Sequence, residues 1–375
     1  MFFVAILLMV SPLFRGQAMA SCDTQITVKP WGTVGTENVS MYTLRNKNNQ
    51  EVEVLTYGAT IRAIRTPDKN GKIDDVVLGF DNIEGYLSSD NPYFGATIGR
   101  VANRIANARF TVDGVEYKVG ENREGFSLHG GFKGWNAKIW EAAVVNGSVV
   151  MSLLSEDKDE GYPGAVSATA VFRFDDDGTL TIEMKATTTK ATPINLTNHS
   201  YFNIAGHGTN AAELYKQSIM LTADRWTVTD NQSIPTGEIR SVANSVMDLR
   251  NQTILGDVID KVPGGGYDYN FCLPDDNSSG KVVLVGKVVH PSSGRYLEVH
   301  SNQPGVQLYT SNFLPEVGLT GVVGKDGKVY YKHGALCLET QNYPDAVNQK
   351  NFPNSILRPG NEYRHVVTYK FSVQA

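Results

Sequence analysis

Five Asn-Gly or Asp-Gly pairs punctuate strand-like runs along this chain: Asn70-Gly71, Asp113-Gly114, Asn146-Gly147, Asp177-Gly178 and Asp326-Gly327. Both residues of such a pair accept positive φ, which the tight turn of a β-hairpin demands. Phe110-Thr111-Val112 and Val115-Glu116-Tyr117 flank Asp113-Gly114, and residues 170–174 and 180–184 flank Asp177-Gly178 in the same way. Residues 282–289 form another β-rich run, and residues 366–373 close the chain as a strand. Helical periodicity is confined to short segments near residues 83–87 and 211–214. Strands that recur about every ten residues, with no helices between them, predict an all-β fold: a large antiparallel sandwich or barrel. No linker, low-complexity segment or clean repeat divides the chain, so residues 21–375 are expected to form a single domain.

The chain has 375 residues, 41% hydrophobic and 19% charged, which describes an ordinary globular protein and not a disordered one. A formal net charge of −5, with no basic block, argues against nucleic acid as a partner. Residues 1–14 are almost wholly apolar, and Ala18-Met19-Ala20 follows them. This A-x-A pattern predicts a secretory signal over residues 1–20, cleaved after Ala20, although Arg15 follows the apolar run and no positive charge precedes it. The expected location is extracellular, or cytoplasmic if the segment is not a signal. No later stretch approaches the roughly 18 continuous apolar residues of a membrane span. Three cysteines, Cys22, Cys272 and Cys337, are too few and too odd in number for a disulfide scaffold. Cys272 and Cys337 sit in apolar runs and read as buried thiols, and no Cys/His spacing suggests zinc.

Several polar faces interrupt this β pattern. In residues 336–341, Leu336, Leu338 and Thr340 share one face of a strand while Cys337, Glu339 and Gln341 share the other, and Pro344 ends it. Such a strand presents either a solvated glutamate or a chemically useful acid on a stiff element. Asn195, Thr197, His199 and Tyr201 alternate onto one wholly polar face, which needs water or a ligand. Gln307 and Tyr309 fall together, and His129 stands at a Gly130-Gly131 turn where backbone can approach a ligand closely. Asn103 and Arg104 lie in a Gly-Arg-rich run, and Asp268 follows Gly264-Gly265-Gly266. Together, Asn103, Arg104, His129, His199, Asp268, Gln307 and Glu339 are rich in groups that hydrogen-bond in pairs, which suits a ligand with many hydroxyls. No P-loop, GxGxxG, GxSxG or HExxH motif is present.

Six motifs in order make the chain resemble the aldose 1-epimerase, or galactose mutarotase, family. They are the runs at residues 95–105 (GATIGRVANRI), 128–131 (LHGG), 195–203 (NLTNHSYFN), 266–268 (GYD), 305–310 (GVQLYT) and 339–348 (ETQNYPDAVN). The resemblance runs from about residue 30 to the C-terminus. It implies a β-supersandwich with an open sugar-binding cleft, and interconversion of the α and β anomers of free aldohexoses such as galactose and glucose. It implies Glu339 as the base at the C1 hydroxyl, His199 as the acid at the ring oxygen, and His129 as a second histidine beside that oxygen. It implies Asn103, Arg104, Asp268 and Gln307 as binders of sugar hydroxyls. The chemistry needs no metal, nucleotide or redox cofactor, and the partners expected are small aldoses, with the chain a monomer or weak dimer. Tyr269 stands where many relatives have histidine, and is expected to alter the pocket wall. A non-catalytic secreted carbohydrate-binding protein on the same fold is the competing reading. Asn195 and Asn198 open N-x-S/T sequons just before His199; in an exported protein they are expected to stay unmodified, since a glycan there would block the cleft.

Overall fold

The computed structural model describes residues 24–274 and 280–374. The signal-like segment and Cys22 lie outside the described residues. Two large antiparallel sheets face each other. One has nine strands, in the spatial order Glu141–Val145, Ser148–Ser155, Val166–Phe174, Thr179–Thr188, Tyr363–Val373, Arg295–Ser301, Val283–Val289, Ser218–Leu221 and Thr253–Ile254. The other has six, in the order Tyr201–Phe202, Leu336–Gln341, Gly305–Tyr309, Asp268–Cys272, Arg225–Thr229 and Pro235–Ser241. A five-stranded antiparallel sheet from Gln25–Val34 to Ile73–Asp75 precedes both in sequence.

Each of the five Asn-Gly or Asp-Gly pairs lies between paired antiparallel strands. The short helices are also where the periodicity puts them, at Ile83–Leu87 and Asn210–Leu214, with Leu255–Val258 added. The Asn82 side chain accepts from the Gly85 N–H and starts the first of these.

The period of two decides which residues fill the space between the sheets. Leu336 and Leu338 point inward with Val306, Leu308 and Phe271 from neighbouring strands. They meet Phe172, Ile182, Met184, Val299 and Val367 of the larger sheet in one buried cluster. Phe202 and Tyr369 join the sheets directly, their ring centroids 5.1 Å apart. Burying each such leucine or phenylalanine contributes about 1.5–3 kcal/mol, so the strand that carries Glu339 is held rigidly from behind. Its other face looks away from this core, and there the site forms.

Candidate active site

Strand register assembles the floor of the cleft. Gln307 pairs with Glu339 and Asn270 pairs with Gln307, while Asp268 pairs with Tyr309 and Tyr309 with Cys337. Paired residues point to the same face, so Glu339, Gln307, Asp268 and Tyr309 gather on one surface. They line a cleft of about 620 Å³ together with Asn103, Arg104, His129 and His199. All seven residues singled out in the sequence therefore meet in one place. A larger depression, of about 820 Å³, lies elsewhere, but its lining contains no histidine and a single carboxylate, Glu362.

Glu339 is no solvated surface residue: it is 2% exposed. Its Oε1 lies 3.6 Å from His199 Nε2, and its Oε2 is buried without a hydrogen-bond partner among the described residues. Burial and the nearby Asp268 charge push the Glu339 carboxyl well above the ordinary carboxylate range, while Arg104 opposes them. Burial pulls His199 down to about 3, since desolvation of the imidazolium outweighs the hydrogen bonding that favours it. The carboxyl and imidazole thus hold protons with affinities far from their ordinary ones, as acid–base centres often do.

Arg104 donates to Asp268 Oδ2 at 3.1 Å and Gln307 donates to Asp268 Oδ1 at 2.8 Å. Arg104 also donates to the Asn103 side-chain oxygen at 3.3 Å, and its guanidinium lies over the Phe126 ring. Asp268 is thereby fixed as an acceptor by two side chains. Gln307 Oε1 is buried without a protein partner among the described residues and has capacity for a ligand hydroxyl.

His129 sits in the turn with φ of 51°, followed by Gly130 at 90°. A Cβ at Gly130 would lie 2.1 Å from the Gly99 carbonyl oxygen, so only glycine fits this close approach. The His129 ring meets His199 edge-on, with centroids 5.1 Å apart.

The structure corrects three expectations. The polar stretch before His199 is not one strand: it is broken into Thr197–Asn198 and Tyr201–Phe202. Asn195 and Thr197 do not face the cleft but lock the end of the Glu339 strand. Asn195 exchanges two hydrogen bonds with the Asn342 backbone, and the Thr197 hydroxyl donates to the Thr340 carbonyl. Asn195 and Asn198 are each 2% exposed, so the folded protein leaves no room for a glycan on either side chain. Tyr269 does not line the cleft; alternation turns it away from Asp268, and it packs edge-on against Trp226 while its hydroxyl donates to the Pro263 carbonyl.

Sequence reasoning missed Tyr93, which stacks on His199 at 6.0 Å between centroids and 19° between planes. Tyr93 lies in an irregular loop with φ of 67°, where no periodicity marks its direction. Phe132 and Phe313, both largely exposed, also line the cleft, and no pattern in the sequence marks them.

A buried carboxyl facing a buried imidazole, ringed by fixed hydrogen-bonding groups, suits proton transfer on a polyhydroxylated ligand. The aldose 1-epimerase family profile matches residues 40–370. The chain is 46% identical over 335 residues to galactose mutarotase of Rattus norvegicus, covering 89% of this chain and 94% of the relative. It is 32% identical to aldose 1-epimerase of Escherichia coli K12, covering 88% of this chain and 94% of that one. A crystal structure of a GalM/aldose epimerase homologue from C. elegans superposes with a TM-score of 0.80 at 31% identity, covering 88% of this chain and 97% of that chain. The chain belongs to the aldose 1-epimerase family.

Proposed function

We infer that the protein is a mutarotase, an isomerase that interconverts the α and β anomers of free aldohexoses such as galactose and glucose, and that Glu339 and His199 carry the proton transfers. The observation that carries the residue assignment is the 3.6 Å approach of Glu339 Oε1 to His199 Nε2 in the cleft. As carboxylate, Glu339 takes the proton from the C1 hydroxyl, while protonated His199 gives one to the ring oxygen and the C1–O5 bond breaks. The products are the open-chain aldehyde, neutral Glu339 and neutral His199. Rotation about C1–C2 turns the other carbonyl face toward the C5 hydroxyl. Reclosure with the two roles reversed returns both protons. Asp268, Arg104, Gln307 and Asn103 would hold the remaining hydroxyls, and so fix the ring against the pair. Polarimetry of freshly dissolved α-D-galactose and α-D-glucose tests the activity: the protein accelerates mutarotation well above the uncatalysed rate. Binding of these sugars without acceleration would favour a carbohydrate-binding protein instead.

The pair works with one proton between its two members, and this sets the pH dependence. The carboxylate–imidazolium form and the neutral form hold the same number of protons, so pH does not shift the balance between them. Activity falls at low pH only when His199 accepts a proton although Glu339 already holds one. Burial lowers the affinity of His199 for that proton, so the acid limb of kcat/KM lies well below the ordinary histidine value of 6.5. A pH–rate profile corrected for the spontaneous reaction measures it. An acid limb at or above 6.5 would count against this pairing.

An export role for residues 1–20 is proposed on their sequence pattern alone. Intact-mass measurement of protein recovered from the medium of expressing cells is expected to show a chain beginning at Ser21. Retention of the full chain inside the cell would reject it.

A further inference from the structure

We propose that the Asn103 main-chain amide holds His129 as a permanently neutral imidazole with its one N–H on Nε2, so that His129 gives the sugar a fixed hydrogen bond and, of the two histidines, only His199 shuttles a proton. This rests on the reading of the cleft as a mutarotase site. A main-chain N–H donates and never accepts. The Asn103 N–H lies 3.2 Å from His129 Nδ1. That nitrogen must therefore offer its lone pair, and the ring proton of the neutral form goes to Nε2.

The contact is built into the backbone on both sides. The His129 N–H donates back to the Asn103 carbonyl at 3.0 Å, and both residues sit in the left-handed region, with φ of 63° and 51°. The Asn103 side-chain oxygen accepts the Arg104 N–H at 2.9 Å and keeps that turn closed. A second proton, on Nδ1, would set two N–H groups against each other at a site only 7% exposed. Burial, His199, Arg104 and Arg123 act in the same direction and push the proton affinity of His129 well below the ordinary histidine value, although an ionised Glu339, within 4.8 Å, opposes them.

His199 differs at the same ring position. Its Nδ1 faces the Cys337 sulfur at 3.6 Å, a group that can donate or accept. Nδ1 of His199 can therefore stay protonated while Nε2 gains and loses the travelling proton. The ring lies between Tyr201, at 5.0 Å and 10°, and Tyr93, at 6.0 Å and 19°, so its plane is held while the charge changes.

The same tautomer bears on a second property. His129, His199 and Glu339 bring their donor atoms within 4.8 Å of one another, a two-histidine, one-carboxylate set of the kind that holds transition metals. A metal-binding histidine points its far N–H at an acceptor. The far nitrogen of His129 meets a donor instead, so toward the cleft His129 presents a hydrogen and not a lone pair.

Two-bond ¹H–¹⁵N spectra of the full chain labelled at histidine nitrogen test this, with His129→Gln used to assign the signal. His129 is expected to show a bare Nδ1 and a protonated Nε2, unchanged across the pH range in which the protein stays folded. A protonated Nδ1 on His129 at neutral pH overturns the proposal. Kinetics gives a second readout, because glutamine keeps a side-chain N–H but cannot shuttle a proton. His129→Gln is expected to lower kcat about tenfold, the worth of one well-placed hydrogen bond. His199→Gln is expected to lower it about 10²–10⁴-fold. Equal losses in the two variants also overturn it. If the wild type itself fails to accelerate mutarotation, the mutarotase reading falls, while the spectrum still decides the state of His129.

Discussion

Glu339→Gln is expected to lower kcat for α-D-galactose mutarotation by about 10²–10⁴-fold while leaving KM nearly unchanged. Glutamine has the shape of glutamate, and its carbonyl oxygen can still face His199 and accept a hydrogen bond from the C1 hydroxyl. What it cannot do is take the proton. The loss should therefore fall on the step after binding, the signature of an interaction made in the transition state. Stability runs the other way. Glu339 is buried at 2% exposure with Oε2 unpartnered among the described residues, and Asp268 opposes its charge. Removing a buried ionisable group that lacks a full set of partners costs the fold little and can stabilise it. Polarimetry beside a thermal melt separates the effects: a large fall in kcat with an unchanged or raised Tm is the expected pair of results. A variant that keeps its rate within about tenfold of wild type would remove Glu339 from the role of base.

The features legible in the sequence were those written in a short period. Alternation across Leu336–Gln341 shows at once that Glu339 and the leucines face opposite ways, and the structure keeps that division. Asn-Gly and Asp-Gly turns locate hairpins because the chemistry of positive φ is local. The seven site residues were legible for a different reason: they sit in motifs whose order could be matched to a family. What stayed hidden depends on contacts far apart in sequence. Whether Glu339 is solvated or buried depends on residues between 89 and 136, far away in sequence, that line the same cleft. Alternation also misled at Asn195, since the strand breaks at His199 and the amide turns to the Asn342 backbone, 147 positions away. Family likeness puts Tyr269 in the pocket wall, yet the same alternation that aims Asp268 into the cleft aims Tyr269 out of it. Arg100 lies in the same motif as Arg104, yet it is 1% exposed and its guanidinium is spent on the carbonyls of Ser155, Glu156, Pro163 and Gly164, none of which lines the cleft. A motif match alone does not separate the arginine that lines the cleft from the one that braces the fold.

Lys325 shows the same limit at its largest, and carries the largest expected effect on stability. In sequence it is a lysine beside an Asp-Gly turn, where a solvated side chain is the ordinary expectation. In the structure it is 2% exposed. Its ammonium donates to Asp75 Oδ2 at 2.6 Å, to the Arg62 carbonyl at 2.7 Å and to the Val77 carbonyl at 2.8 Å, which uses all three of its donors. Asp75 in turn accepts the Ile64 and Val77 amides on Oδ1. Lys325→Met leaves a buried carboxylate facing a methyl group, with two main-chain carbonyls stranded beside it. The expected loss is about 3–5 kcal/mol, read as a lower guanidinium midpoint at unchanged slope. The pair itself need contribute far less, since desolvating both charges offsets most of their attraction. Adding Asp75→Asn to Lys325→Met therefore should recover a good part of the loss, because asparagine keeps the Oδ1 acceptor and drops the charge. The damage should also reach the site through a short path. The Leu78 amide donates to the Tyr201 carbonyl and Val77 bridges to Phe202, so the segment that Lys325 holds also holds the tyrosine stacked on His199. A single variant that loses less than about 1 kcal/mol would mean that water reaches Asp75 in solution and that the pair is not sealed as the structure shows it.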